Sequence, residues 1–210
     1  MPLSTPINES AMQPAILERY LAGLQQALPR QCISDLALAS GASSGQLAQL
    51  RQAYPECPAT LLQLLGKYNG TYHQQYAGGV VSVYLLGSDV FEYPYYLSSV
   101  EQILDDRKSK QRSIADIYGH YLDEDPGIVD ARIDASVAQG RRLCFSHCMN
   151  NGGSSTLYVD FSPTTAGKRG QIVRFLHDPD SYQVIADSFD DYLQLLIDGG
   201  YGFLIDEYFE

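Results

Sequence analysis

The densest group of metal-binding and nucleophilic side chains in the chain is Cys144-Phe145-Ser146-His147-Cys148. Thiolates and imidazoles are the usual ligands of zinc, so a metal is the first chemistry to weigh. On a strand successive side chains alternate between faces, which sends Cys144 and Cys148 one way and His147 the other. A closed zinc site needs four ligands, and no second Cys or Cys/His pair at zinc spacing occurs. The cysteines Cys32, Cys57, Cys144 and Cys148 therefore read as free thiols, a residue type that is often buried. A cysteine nucleophile would need a base within hydrogen-bond reach. Only His73, His120, His147 and His177 are available, and no cysteine stands at a helix start beside positive charge, the setting that activates a thiolate. The expectation is no catalytic residue, no metal and no cofactor. A hydrolase built on His147 or His177 with an acidic partner is the enzyme alternative.

Three loops invite other chemistry. Asn150-Asn151-Gly152-Gly153-Ser154-Ser155 lacks the Gly-Lys-Ser/Thr ending of a phosphate loop and sits between two strand-like runs, so it reads as a hairpin turn. Asp123-Glu124-Asp125-Pro126-Gly127 offers oxygens suited to calcium, but its spacing does not match a twelve-residue loop with glycine at the sixth position. It reads as a solvated acidic loop. Asp178-Pro179-Asp180 reads as a turn between strands.

What remains is charge and tyrosine. The net charge of −11 over 210 residues argues against nucleic acid, whose phosphates need clustered Lys and Arg. The excess is uneven: residues 1–86 hold four acids and four bases, residues 87–140 eleven against five, and residues 141–210 ten against five. A basic protein partner fits this asymmetry. The candidate partner-binding surface is Asp105, Asp106, Asp116, Asp123, Glu124, Asp125, Asp130 and Asp134, with Asp178 and Asp180. Tyr93, Tyr95 and Tyr96, from a chain with 16 Tyr and no Trp, join it because tyrosine suits interfaces.

The elements that would position these residues follow from periodicity. Met12, Ile16, Tyr20 and Leu24, after Ser10 and Gln13, predict a first helix. Ser43 with Gln46 caps a second, ending near Pro55, and Pro58 opens a third that stops at Asn69-Gly70. Residues 80–86 predict a strand, and Ser98 with Glu101 a capping box before a charged helix that ends before Pro126. Strands are expected near 142–149, 157–161, 171–176 and 182–186, all joining residues 80–86 in one sheet. Asp187-Ser188 opens a last helix ending at Gly199-Gly200, and the tail from Tyr201 should pack as a short helix. The fold class is α+β: one domain over residues 1–210, residues 1–40 a helical amino-terminal extension, with a largely antiparallel sheet of about five or six strands packed by amino- and carboxy-terminal helices. Without a basic leader or an apolar run of roughly 20 residues, a cytoplasmic location and no membrane contact are expected.

Leu47, Leu50, Tyr54-Pro55, Leu61, Leu62, Leu65 and Asn69-Gly70 spell a helix, a proline-containing break, a second helix and Asn-Gly. Further on come Leu157-Tyr158-Val159-Asp160, a loop from Pro163 to Gly170, Gln171-Ile172-Val173, and Ile185-Ala186 running into Ser188-Phe189 and Leu193. In order and separation these resemble the SUKH superfamily, which includes the yeast Smi/Knr cell-wall regulators and many bacterial immunity proteins. The helix within residues 1–30 and the acidic stretch around 123–134 exceed the minimal family pattern. The resemblance implies a protein-binding domain with no shared catalytic residues, either an immunity protein that neutralises a basic toxin domain or a regulatory scaffold of cell-wall synthesis.

Overall fold

The computed structural model describes residues 15–150 and 152–205. The proposed Ser10 cap, Met12, Tyr208 and Phe209 lie outside them. Within them the chain opens with α1 (Ile16–Ala27), α2 (Arg30–Leu36), α3 (Ser44–Ala53) and α4 (Ala59–Lys67). α1 buries Leu17, Tyr20 and Leu24 along one face. α3 carries the expected reciprocal cap, the Gln46 amide donating to Ser43 Oγ and the Ser43 amide to Gln46 Oε1. α4 buries Leu61, Leu62, Leu64 and Leu65. Sequence periodicity had no helix at α2, which buries only Leu36 and has no side-chain cap.

The Asn-Gly motif after α4 is a junction. Gly70 has φ +93°, and a Cβ there would lie 2.9 Å from the Ser99 backbone nitrogen, so glycine is required twice over. Asn69 Oδ1 accepts from the Val100 amide at 2.9 Å, capping α5 (Val100–Ser109) from a distance of 31 residues. The helix begins one residue later than the Ser98-Glu101 pattern suggests. Ser99 and Gln102 form the capping box, because the Ser98 amide donates to Phe145 O and so still belongs to the sheet.

The sheet has five antiparallel strands in chain order: β3 (Tyr96–Leu97), β4 (Leu143–Asn150), β5 (Gly153–Asp160), β6 (Gln171–Leu176) and β7 (Ser181–Ala186). The run expected at 80–86 does not join it. β2 (Gly79–Val81) pairs with β1 (Gln74–Tyr76) as a separate hairpin, and residues 83–86 bond instead to Thr71 and Tyr95. Val81, Val83 and Leu85 are nevertheless buried in alternation, the pattern that made the segment look like a sheet strand.

One face of the sheet is covered by α8 (Phe189–Asp198) and the amino-terminal helices, giving a single core from Leu17 through Leu65, Leu143 and Leu193 to Phe203. Phe203 is fully buried in a turn at 201–203, where a short helix was expected to start. The opposite face carries a second cluster, in which Ile114 and Ile133 cover Cys144, Tyr158, Val173, Tyr182 and Val184. The segment between α5 and β4 is thus built onto the sheet. It contains α6 (Ile114–Tyr118), α7 (Tyr121–Glu124) and two short 3-10 turns, Pro126–Ile128 and Gln139–Arg141. The charged helix expected to run from Ser98 to before Pro126 is in fact three helices, α5, α6 and α7.

A bulge in β4 corrects the alternation argument. Cys144 pairs with Tyr158 and Ser146 with Leu157, which leaves Phe145 as an extra residue. Cys144 therefore faces the second cluster while Cys148 enters the main core, on opposite sides of the sheet.

Candidate binding face

Cross-strand register places five residues in one row on the outer face. Tyr96 pairs with His147, His147 with Thr156, Thr156 with Phe175 and Phe175 with Tyr182. Their rings touch where they are adjacent: Phe175 and Tyr182 have centroids 4.6 Å apart, and His147 meets Tyr72 edge-on at 4.7 Å. Tyr72 and Tyr84 extend the aromatic group at the β3 edge, each packed against Tyr96. Of the three candidate tyrosines only Tyr96 stands on this face. Tyr93 is half-buried against the main core, and Tyr95 is wholly inside it, where burial raises its hydroxyl pKa. Burial holds the His147 imidazole below its usual value, the Lys110 ammonium adds to that effect, and Asp106 opposes it.

Beside this row the outer face opens into a groove of about 540 Å³. Its lining includes Thr156, Tyr158, Phe175 and Tyr182 of the sheet, Lys110, Arg112 and Tyr118 of the segment between α5 and β4, and Asp180. Lys110 Nζ donates to the Tyr158 hydroxyl at 3.1 Å and pairs with Asp106 at 2.9 Å. Tyr118 donates to Asp180 Oδ2, whose other oxygen lies 3.2 Å from His177 Nδ1.

The candidate carboxylates fall into two groups. Most are already engaged. Asp105 pairs with Lys108 at 3.1 Å, and Asp106 with Lys110. Asp116 accepts from the Ser113 amide at the start of α6, a bond that lowers its pKa. Asp130 grips Arg132, whose Nε lies 3.0 Å away, and Asp134 accepts from the Ser136 amide. The second group is Asp123, Glu124 and Asp125, all exposed at α7. Glu124 approaches only His120, at 3.9 Å, and Asp125 Oδ1 accepts from the Gly127 amide. Asp178 is exposed at the turn between β6 and β7.

The backbone that follows this acidic turn is bonded to β7: Val129 bridges to Tyr182, the Asp130 amide donates to Tyr182 O at 2.9 Å, and Gln183 Nε2 donates to Gly127 O. Further along, Arg142 donates to Asp134 O and Val137 O, tying the segment to the start of β4. Arg142 is paired with Asp160 in the interior. Neither the row nor this pair figured in the sequence reading. Period-two alternation puts Thr156 with Tyr158 and Val173 with Phe175, but only the pairing register aligns them across five strands.

Burial pushes the thiols of Cys144 and Cys57 up to about 12 and that of Cys148 to about 11, which keeps them protonated and poor nucleophiles at neutral pH. Neither His147 nor His177 lines the groove. His147 Nδ1 is 3.5 Å from Ser98 Oγ, the outer limit of a hydrogen bond, and Ser98 is buried. Among the described residues no group of three or more His, Cys, Asp or Glu could hold a metal ion, and no helix is long and apolar enough to cross a membrane.

No curated protein matches the chain. The family model described as SMI1 / KNR4 family (SUKH-1) matches residues 41–195. That span runs from just before α3 into α8 and takes in the Asn69-Gly70 junction, the whole five-stranded sheet and the groove. By this match over most of its length, the chain belongs to the SMI1/KNR4 family, SUKH-1.

Proposed function

We propose that this chain is a non-catalytic protein-binding domain of the immunity type, which neutralises a basic toxin domain in the cytoplasm by docking it on the acidic turn of Asp123, Glu124 and Asp125. The observation that carries this reading is the turn itself. Three exposed carboxylates, none paired with Lys or Arg among the described residues, sit just before the backbone at residues 127–130 that is bonded to β7. Carboxylates already paired to a neighbour would have to break that pair, whereas these are free for an incoming cation. A turn anchored at one end loses less conformational entropy on binding than an unanchored one. Opposite charge accelerates encounter, and a nuclease toxin, whose own target is a polyanion, presents the complementary surface. Asp178 extends the acidic area from the β6–β7 turn.

The family supports a second reading, a scaffold in cell-wall synthesis. Co-expression separates the two: each toxin domain encoded in the source genome is produced with the full chain or with the Asp123→Asn/Glu124→Gln/Asp125→Asn variant, and growth is followed. The immunity reading predicts that the chain rescues growth from one toxin and that the variant rescues poorly. Rescue from none would favour the scaffold.

A further inference from the structure

The charges around the outer-face groove do not cancel. Lys110 is paired with Asp106 at 2.9 Å, and Arg112 donates to the carbonyl of Asp116, whose carboxylate also feels its charge. Asp180, the one carboxylate in the groove lining among the described residues, has no Lys or Arg partner there. It accepts from the Tyr118 hydroxyl and from the Asp178 amide at 3.4 Å, and His177 Nδ1 lies 3.2 Å away. Uncharged donors orient a carboxylate without cancelling its charge, and the imidazole cancels it only when protonated. Of the roughly four acceptor positions of a carboxylate, these three groups leave one.

Aromatic rings surround this charge. Phe175 packs on Tyr182 at 4.6 Å between centroids, and Tyr118 meets Tyr182 edge-on at 6.1 Å. Rings beside a single open acceptor suit a planar, weakly hydrated cation, which describes a guanidinium better than an ammonium. The paired cation is kept away: Asp180 lies beyond Tyr182 toward the β6–β7 turn, whereas Lys110 sits at Tyr158, on the other side of the row of Thr156, Phe175 and Tyr182. The groove also adjoins the acidic turn. Tyr118 stands three residues before α7, and Gln183, three residues after Asp180, bonds to Gly127. We propose that the groove receives an arginine side chain of the basic protein partner, its guanidinium against the rings of Tyr118 and Phe175 and donating to Asp180. This rests on the reading of the chain as a binder of a basic toxin domain, and gives that partner an anchor beside the carboxylates that steer it. Arginines seated in pockets are frequent energetic centres of protein interfaces.

The probes are N-acetyl-arginine amide, its uncharged isostere N-acetyl-citrulline amide, and N-acetyl-lysine amide. Each is titrated into the full chain carrying ¹³C-labelled Tyr and Phe rings, at about pH 8, above the ordinary range of an imidazole. The arginine amide should give saturable shifts in the rings of Tyr118, Phe175 and Tyr182. It should bind about tenfold more tightly than the citrulline amide, as a charge-assisted hydrogen bond in place of a neutral one implies. The lysine amide should bind more weakly than the arginine amide. Asp180→Asn, which keeps an acceptor for Tyr118, should bring the arginine amide down to the affinity of the citrulline amide. With the toxin domain the same variant should dissociate about tenfold faster yet associate at low salt within about twofold of the wild-type rate, because an anchor acts after encounter and steering before it. The probe comparison uses the unaltered chain and does not depend on how the variant folds. Absence of saturable ring shifts, citrulline or lysine amide binding as tightly as arginine amide, or an unchanged dissociation rate in Asp180→Asn would overturn the anchor. Each of these results leaves the toxin reading in place. That reading fails instead if no toxin is bound, and the probe comparison then still decides whether the groove takes a guanidinium.

Discussion

At positions 142 and 160 a guanidinium and a carboxylate are withdrawn from water, with side chains 2% and 0% exposed and Arg142 Nε 3.3 Å from Asp160 Oδ1. Nε is not aligned for a hydrogen bond, so attraction across this gap is Coulombic while the remaining donors reach backbone carbonyls. Asp160 is in turn satisfied by the Ser162 amide and by Gln171 Nε2. Removing one member strands the other: Asp160→Ala should cost about 3–5 kcal/mol in urea unfolding, and a loss under about 1 kcal/mol would mean that water reaches Arg142. His147 makes a pH prediction. Its folded pKa is lowered, chiefly by burial, from 6.5, so below about pH 6.5 the unfolded chain binds the proton that the folded chain refuses. Stability contributed by the neutral ring is therefore present at pH 7 and is lost as pH falls through 6.5 toward the folded value. His147→Gln should flatten stability between pH 7 and 5, measured by denaturant midpoints across that range; an unchanged slope would show that other groups set the acid limit. Residue types were legible in the chain, but facing was not. Alternation put Cys144 and Cys148 together, and the one extra residue at Phe145 separates them.

Elements declared themselves where local chemistry decides them. Ser43-Gln46 and Ser188 cap where their spacing says they should, and α8 buries Phe189, Leu193 and Leu196 at helical spacing. Where a distant group decides, local pattern does not fix the boundary. Ser98-Glu101 and Ser99-Gln102 satisfy the same pattern, and Asn69, 31 residues upstream, selects the second. The segment 80–86 shows strand alternation, yet β1 captures its first residues before the sheet can. α2 spans seven residues and buries one, too little for periodicity to register. The helix faces themselves are testable. Leu65 on α4 and Leu193 on α8 are both fully buried in the main core. Truncating either to Ala should cost roughly 2–5 kcal/mol in denaturant unfolding. Values below about 1 kcal/mol at both sites would mean that the packed faces are misplaced.

Over the whole molecule, the two sides of one sheet do different work. The inner side carries the core that links the amino-terminal helices to α8. The outer side is half covered by residues 110–140 and half open as the groove and its aromatic row. That covering segment carries part of the acidic excess, six acids against three bases, and packing explains why its binding role was only partly readable. Of its six carboxylates, Asp116, Asp130 and Asp134 are engaged by neighbours brought close by the fold, which leaves Asp123, Glu124 and Asp125 without a Lys or Arg partner among the described residues. The central claim is that this remainder steers a basic protein partner, and steering is a rate effect that salt screens over roughly 8–10 Å. Stopped-flow association with the toxin domain against which the chain protects, at 20 mM and 200 mM salt (about a threefold change in screening length), tests it directly. The wild-type chain should associate at least about tenfold faster at the lower salt than at the higher, and the Asp123→Asn/Glu124→Gln/Asp125→Asn variant should lose most of that advantage while unfolding at the same denaturant concentration. Equal association rates for the two proteins at low salt would contradict the account.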